Sequence, residues 1–228
     1  MSQLALPLQL ADHAVFESFW PAGNETLVAY LKKLVTDGSG PGCWIWGETA
    51  SGKTHLLQAV CEKLGDRAMY LPLDSVFDAG PDILDGAALR SLVCLDNIDI
   101  TEGKADWEEA LFALFNRVID ANGTLLVASS HSVRESAFLL PDLRSRFTQL
   151  TSFQLQTLNE NERLHALQLR AGHRGLELPG ETARYMLNRS RRDMASLYAL
   201  LDRLDAAALR AQRRLTVPFV KSVLQQER

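Results

Sequence analysis

Five short apolar runs punctuate the first two thirds of the chain: Cys43–Trp46, Ala68–Leu71, Leu92–Leu95, Leu125–Ala128 and Leu150–Leu155. Each is short and bounded by turn-forming or helical stretches, so each predicts a strand. Amphipathic stretches lie between several of them. From Lys53 to Leu64, the residues Leu56, Leu57, Val60, Cys61 and Leu64 share one helical face. Between the third and fourth runs, Trp107, Leu111, Leu114, Phe115, Val118 and Ile119 recur at helical spacing, and Asn122-Gly123 supplies the stop. Strands alternating with helices predict a parallel α/β sheet covered on both faces.

The pattern changes near Asn159. Beyond it the spacing predicts helices only, over about 159–172, 180–190, 192–212 and 216–227, with Gly172, Gly175 and Leu178-Pro179-Gly180 as punctuation and Pro218 in a first turn that tolerates it. The expected organisation is therefore a tail over 1–12, an α/β body over 13–158 and a small helical domain over 159–228.

Composition narrows the classes. A 228-residue chain with 46% hydrophobic and 23% charged residues is globular, and no apolar run reaches the length of a membrane span. The start has neither a basic region nor a small-residue cleavage site, so no signal peptide is expected. Cys43, Cys61 and Cys94 are odd in number and lie in apolar runs, which predicts buried reduced thiols in a cytoplasmic protein. The five histidines show no metal-ligand spacing. The net charge of −4 is uneven: residues 1–158 carry 11 basic against 20 acidic residues, and residues 159–228 carry 13 against 8. The basic arginines of the second part suit either phosphates, an acidic partner or plain solvated helix faces.

The strongest chemical signal is Gly47-Glu-Thr-Ala-Ser-Gly-Lys-Thr54. It follows a strand and opens a helix, the setting in which such a loop curls its backbone N–H groups around phosphates. Lys53 reaches the outer phosphates and Thr54 can hold Mg²⁺. Leu92-Val-Cys-Leu-Asp96 ends a buried strand in an acid that can hold Mg²⁺ through water. The next position is Asn97, where hydrolytic relatives of this motif carry a second acid. An amide orients water but takes no proton, so strong intrinsic hydrolysis is not expected; Asn97 also fits a turn after a strand. Ser129 or Ser130, at the end of the fourth strand, is a candidate sensor of the γ-phosphate. Leu140-Pro-Asp-Leu-Arg-Ser-Arg-Phe147 places Arg144 and Arg146 two residues apart, off a common helical face. One is expected to be structural and the other, Arg146, to point outward as a finger acting in trans on a neighbour's nucleotide.

Together GETASGKTHLL, LVCLDNID, the strand ending ASSH, DLRSRF and RRDMASLYALLDRL resemble an AAA+ module of the DnaA type. The similarity to the Hda family of short DnaA paralogues runs from the tail through FESFWPAGN to LTVPFVKSVL, so it spans essentially the whole chain. It implies a P-loop sheet of order 5-1-4-3-2 with a C-terminal helical lid. It implies a nucleotide site made by Gly47, Glu48, Thr49, Ala50, Ser51, Gly52, Lys53, Thr54, His55 and Ser129, with Arg192 as lid sensor. Residues around Phe16, Phe19, Trp20 and Pro21 would border the base. Asp96, Asn97 and Arg146 would carry what catalysis there is, with Thr54 and Asp96 on Mg²⁺. ADP is favoured over ATP as the resting cofactor. Ala50 stands where DnaA-type loops have glycine, a change that is tolerable at negative φ.

The family's role is regulation: stimulating ATP hydrolysis on the DnaA initiator and so preventing re-initiation of DNA replication. Gln3-Leu4-Ala5-Leu6-Pro7-Leu8 resembles the peptides that dock onto the polymerase III β sliding clamp; the alternative is a tail folded onto its own chain or a sister copy. Expected partners are DnaA, the clamp and a homodimer or larger homo-oligomer, with no membrane. Because the sequence ends after its lid, no sequence-specific DNA binding is expected. The competing reading is an autonomous ATPase or helicase-loader-like remodelling factor.

Overall fold

The computed structural model describes residues 14–38, 40, 42–189 and 193–225. The chain forms two compact units: one runs up to Phe16 and resumes over Asn24–Gln156, and the other takes Glu17–Gly23 and everything from Thr157 onward. The short stretch Glu17–Gly23, expected in the body, packs with the helical unit instead; part of the reason is that Trp20 lies against His165, ring centroids 5.2 Å apart.

In the first unit five strands, β1 (Gly42–Trp46), β2 (Ala68–Pro72), β3 (Leu92–Asp96), β4 (Thr124–Ser129) and β5 (Thr151–Gln154), form one sheet of order β2-β3-β4-β1-β5. Every pairing is parallel, and the order is the 5-1-4-3-2 that the resemblance implies. The central strands are buried apart from the half-buried Trp46, as their apolar runs require, whereas the short edge strand β5 keeps Thr151, Ser152 and Gln154 exposed. Register aligns the carboxyl ends: Trp46 lies opposite Ser129, and Pro72 opposite Asp96. Gly42 opens β1 at φ 98°, and a Cβ there would sit 1.7 Å from the Leu125 carbonyl oxygen, so only glycine allows β1 and β4 to approach at this point.

The helices of this unit are α1 (Glu25–Asp37), α2 (Lys53–Leu64), the single-turn α3 (Leu73–Val76), α4 (Ala105–Asp120) and α5 (Pro141–Phe147). Gly38 ends α1 in the left-handed conformation, its N–H bonded to the Leu34 carbonyl. The α4 stripe Trp107, Leu111, Leu114, Phe115 and Val118 is buried against the sheet's core. Pro141 starts α5, and Leu143 and Phe147 anchor it. The Phe147 ring lies 5.3 Å from Trp44, 5.5 Å from Phe138 and 6.1 Å from Phe115, so one side chain joins the sheet, α4 and α5.

The second unit contains α6 (Glu160–His173), α7 (Gly180–Arg189), α8 (Met194–Ala211) and α9 (Val217–Gln225). Asn159 and Glu162 cap α6 reciprocally, each side chain accepting the other's backbone N–H at 3.0 and 2.7 Å. Asp193 caps α8 through Ser196 N–H. Leu167, Met186, Leu197, Leu201, Leu204 and Val220 form a separate apolar core. Arg170 is buried under the Tyr198 ring at 4.2 Å, and Arg174 pairs with Asp202 and Asp205, so two arginines of the basic C-terminal part serve packing between α6 and α8.

Phe147→Ala should remove the three-way aromatic junction and cost about 3–5 kcal/mol of body stability. Urea unfolding read by tryptophan fluorescence checks this; a loss below 1 kcal/mol contradicts the junction's importance.

Candidate phosphate site

The loop from Gly47 to Gly52 leaves β1 and turns into α2. Gly47 N–H donates to Ser129 O at 3.3 Å and Ser51 N–H to Glu48 O at 3.3 Å, which closes the loop on itself and on the end of β4. A Cβ on Gly47 would come within 2.6 Å of the Leu155 carbonyl oxygen, and Gly52 has φ 110°, so the two motif glycines answer two different steric demands. Ala50 adopts φ +60°, against the negative value on which its tolerance was expected to rest. The curl of the loop requires a left-handed residue at this point, and alanine adopts that conformation at a cost of about 1–2 kcal/mol.

Lys53 is 9% exposed, and its Nζ donates to Gly47 O at 2.7 Å and Glu48 O at 2.8 Å. Burial lowers its ammonium's pKa, opposed by the charges of Asp96 and Asp99. The Ser51 hydroxyl is buried with no partner among the described residues. A lysine aimed into a ring of loop atoms, a left-handed glycine at the turn into α2 and an orphaned hydroxyl fit a group rich in acceptor oxygens.

Asp96 and Thr54, the two expected Mg²⁺ ligands, come together: Thr54 hydrogen-bonds the Asp96 carboxyl. Tyr70 Oη also donates to Asp96 Oδ2 at 2.8 Å, and Asn97 N–H donates to Oδ1 at 3.1 Å. Asp96 is 1% exposed, and burial raises its pKa more than these three bonds lower it. Asn97 has φ 55°, a left-handed turn position that asparagine tolerates well, so the turn role anticipated for it is present.

Ser129 is buried, and its hydroxyl donates to Asp99 Oδ1 at 2.5 Å; Ser130 is exposed, with its N–H on Asp99 Oδ2 at 2.8 Å and its hydroxyl 3.0 Å from His131 Nδ1. Asp99 and Tyr70 were not among the expected site residues. Asp-Asn-Ile-Asp hints at the first, an acid two positions past Asn97, whereas Tyr70 reaches the site only because β2 pairs with β3. His131, expected to have no ligand partners, shares a cluster with Asp99 and Glu102, their ligand atoms all within 4.8 Å of one another. His55 Nε2 lies 2.9 Å from the Val15 carbonyl oxygen. Phe16 is buried in the first unit with Lys32 Nζ 5.7 Å from its ring centroid, while Phe19 and Trp20 belong to the second. Glu48 and Thr49 are exposed on the loop. Arg192 and the tail residues Gln3, Leu4, Leu6, Pro7 and Leu8 lie outside the described residues.

Residues 160–224 match the family model described as Hda, lid domain. The chain is thus similar to the Hda family over its lid. Its fold is that of domain III of the Thermotoga maritima replication initiation protein DnaA, at 20% identity over 96% of this chain and 98% of that one, TM-score 0.77. AMPPCP-bound DnaA from Aquifex aeolicus aligns at 22% identity over 85% of this chain and 65% of that one, TM-score 0.68. The Thermotoga maritima RuvB Holliday junction branch migration motor aligns at 18% over 88% and 67%, TM-score 0.62. The body ahead of residues 160–224 thus has the fold that these proteins share.

On that body, Arg144 and Arg146 sit on α5, Arg144 exposed and Arg146 half-buried, neither in an ion pair with a described residue. The three cysteines are free and buried, as their setting predicted. None of the described helices is long and apolar enough to cross a membrane.

Because the Asp96 carboxyl holds its proton more tightly folded than unfolded, its contribution to stability is complete below the unfolded pKa and is lost as pH rises through the folded one. Asp96→Asn keeps an acceptor for Asn97 N–H and offers an amide N–H to Tyr70, so it should raise the ligand-free melting temperature at pH 7. That advantage should disappear at pH below the ordinary aspartate range. A lower melting temperature for the variant at pH 7 contradicts burial as the dominant influence on Asp96.

Proposed function

We propose that the protein is a nucleotide-bound, cytoplasmic regulator of DNA replication initiation that stimulates ATP hydrolysis by DnaA through Arg146. The observation that carries this reading is the pairing, in one unit, of a phosphate cradle with an unpaired arginine on a helix fixed to the core. Support also comes from the Hda lid match and the likeness to DnaA domain III.

The loop amides and Lys53 would hold the phosphates of ADP or ATP, and Thr54 with Asp96 would hold an accompanying Mg²⁺, which neutralises phosphate charge when bound. Lys53 would exchange its two carbonyl partners for phosphate oxygens at little reorganisation. Asn97 can position water but takes no proton, and both carboxylate oxygens of Asp99 are already engaged by Ser129 and Ser130. Nucleotide is therefore held rather than rapidly consumed, with ADP as the resting form. The nucleotide keeps the body in its binding-competent shape, with Arg192 of the lid reporting on it. Arg146 then offers a delocalised cation to the phosphoryl oxygens of ATP on DnaA.

The tail Gln3-Leu4-Ala5-Leu6-Pro7-Leu8 would dock on the sliding clamp. Pro7 biases Leu6 toward extended backbone, lowering the entropy lost on binding, and the leucines fill apolar pockets. Docking restricts stimulation of DnaA to clamp-loaded DNA.

Arg146→Ala should keep nucleotide affinity and melting temperature while lowering stimulated hydrolysis on DnaA by about 10³–10⁵-fold. A variant that stimulates DnaA like the wild type returns Arg146 to a structural role. Separately, Gln3→Ala with Leu6→Ala should abolish clamp binding in surface plasmon resonance and leave nucleotide affinity intact. Wild-type clamp affinity in that double variant removes the tail from the docking role.

A further inference from the structure

Glu108 is fully buried on the first turn of α4, an expensive place for a carboxylate unless its oxygens are engaged. Both are. One accepts the Gly103 N–H at 2.8 Å and the other the Leu140 N–H at 2.7 Å. Leu140 is the residue from which α5 starts, and its own carbonyl accepts the Arg144 N–H at 3.3 Å. A second carboxylate repeats the arrangement: Glu102 accepts the Ala137 N–H at 2.9 Å and lies 2.7 Å from His131 Nε2. A third, Asp99, takes the Ser130 N–H. Three acids within ten residues thus hold successive amides of the segment leading from the end of β4 to α5.

That segment has little structure of its own, a three-residue turn at Val133–Glu135 capped by Ser132. Helix α5 is seven residues long, too short to be stable alone, so its direction is set from outside. Leu143 and Phe147 fix its inner face; the Glu108 bond fixes its start. Arg146 lies six residues beyond Leu140, roughly 9 Å along a helix, so a small pivot at the start moves the guanidinium by a comparable amount.

We infer that Glu108, backed by Glu102, is a positioning residue for Arg146: a buried carboxylate that aims the finger helix and touches neither nucleotide nor partner. The inference rests on the proposed role of Arg146. It assigns to Glu108 a contribution to the maximal rate on the partner and none to docking. In Glu108→Gln, side-chain size is kept, but one of the two backbone N–H groups must face an amide NH₂.

The test uses the full chain and two readouts. Hydrogen exchange of the stretch 136–147 should quicken in Glu108→Gln by about tenfold or more, with the strands and α2 protected as in the wild type. Stimulated ATP hydrolysis on DnaA, titrated with the variant, should show a maximum lowered by up to about 10²-fold at an unchanged half-saturating concentration. Glu102→Gln should shift both readouts in the same direction by less, and it carries the test if Glu108→Gln does not fold. Unchanged exchange in 136–147 overturns the inference. So does faster exchange spread over the whole body, or a half-saturating concentration that rises in step with the loss of rate, since either marks a merely structural residue. Faster local exchange with full stimulation also overturns it; if Arg146→Ala then stimulates fully as well, the fault lies in the finger reading and not in the placement of α5 by Glu108.

Discussion

The parallel insertion of β4 between β1 and β3 is the constraint on which the rest of the structure depends. Parallel pairing sends every carboxyl end to the same edge of the sheet. The loop after β1, Asp96 at the end of β3 and Ser129 at the end of β4 therefore meet without any of them having been brought there by a loop of its own. The cost of close approach appears at Gly42, which has no room for a side chain, and the benefit appears in the Thr54–Asp96 contact. The sheet supplies rigidity, and the residues beyond its edge supply chemistry.

Buried polar groups continue that logic outward. Asp96 is engaged by Thr54, Tyr70 and Asn97; Asp99 by Ser129 and Ser130; Glu102 by Ala137; Glu108 by Gly103 and Leu140. Directed bonds offset part of the cost of taking each carboxylate from water, and those from the Asn97, Gly103, Ser130, Ala137 and Leu140 amides fix backbone that has no strand or long helix of its own. The order of the loops beyond the sheet is in this sense electrostatic, whereas the order of the sheet and of the lid is apolar.

What was legible in the sequence follows from the range over which each signal acts. The strands, α2 and the phosphate loop are local, and their residues stand consecutively, so spacing alone found them. The strand order was not read from periodicity; it came with the resemblance to DnaA-type modules. Tyr70 reaches Asp96 across a strand pair, and Glu108 reaches Leu140 across 32 positions, so neither had a sequence signature. The φ of Ala50 has no signature in its side chain, because loop closure imposes the left-handed conformation whatever residue is present. Glu17–Gly23 was assigned by chain order, although its aromatic contact lies more than a hundred residues away at His165.

The same sheet order has a consequence for synthesis. Strand β1 pairs only with β4 and β5, and Gly42 finds its partner in Leu125. A nascent chain emerging at about 5–20 residues per second carries β1, with both of its edges unsatisfied, for several seconds before β4 leaves the ribosome. Strands β2 and β3 can pair with each other in that interval; β1 cannot. The Trp44-Ile45-Trp46 segment that later supports the phosphate loop is thus an apolar ribbon exposed early and covered late, at the very strand its chemistry is built on.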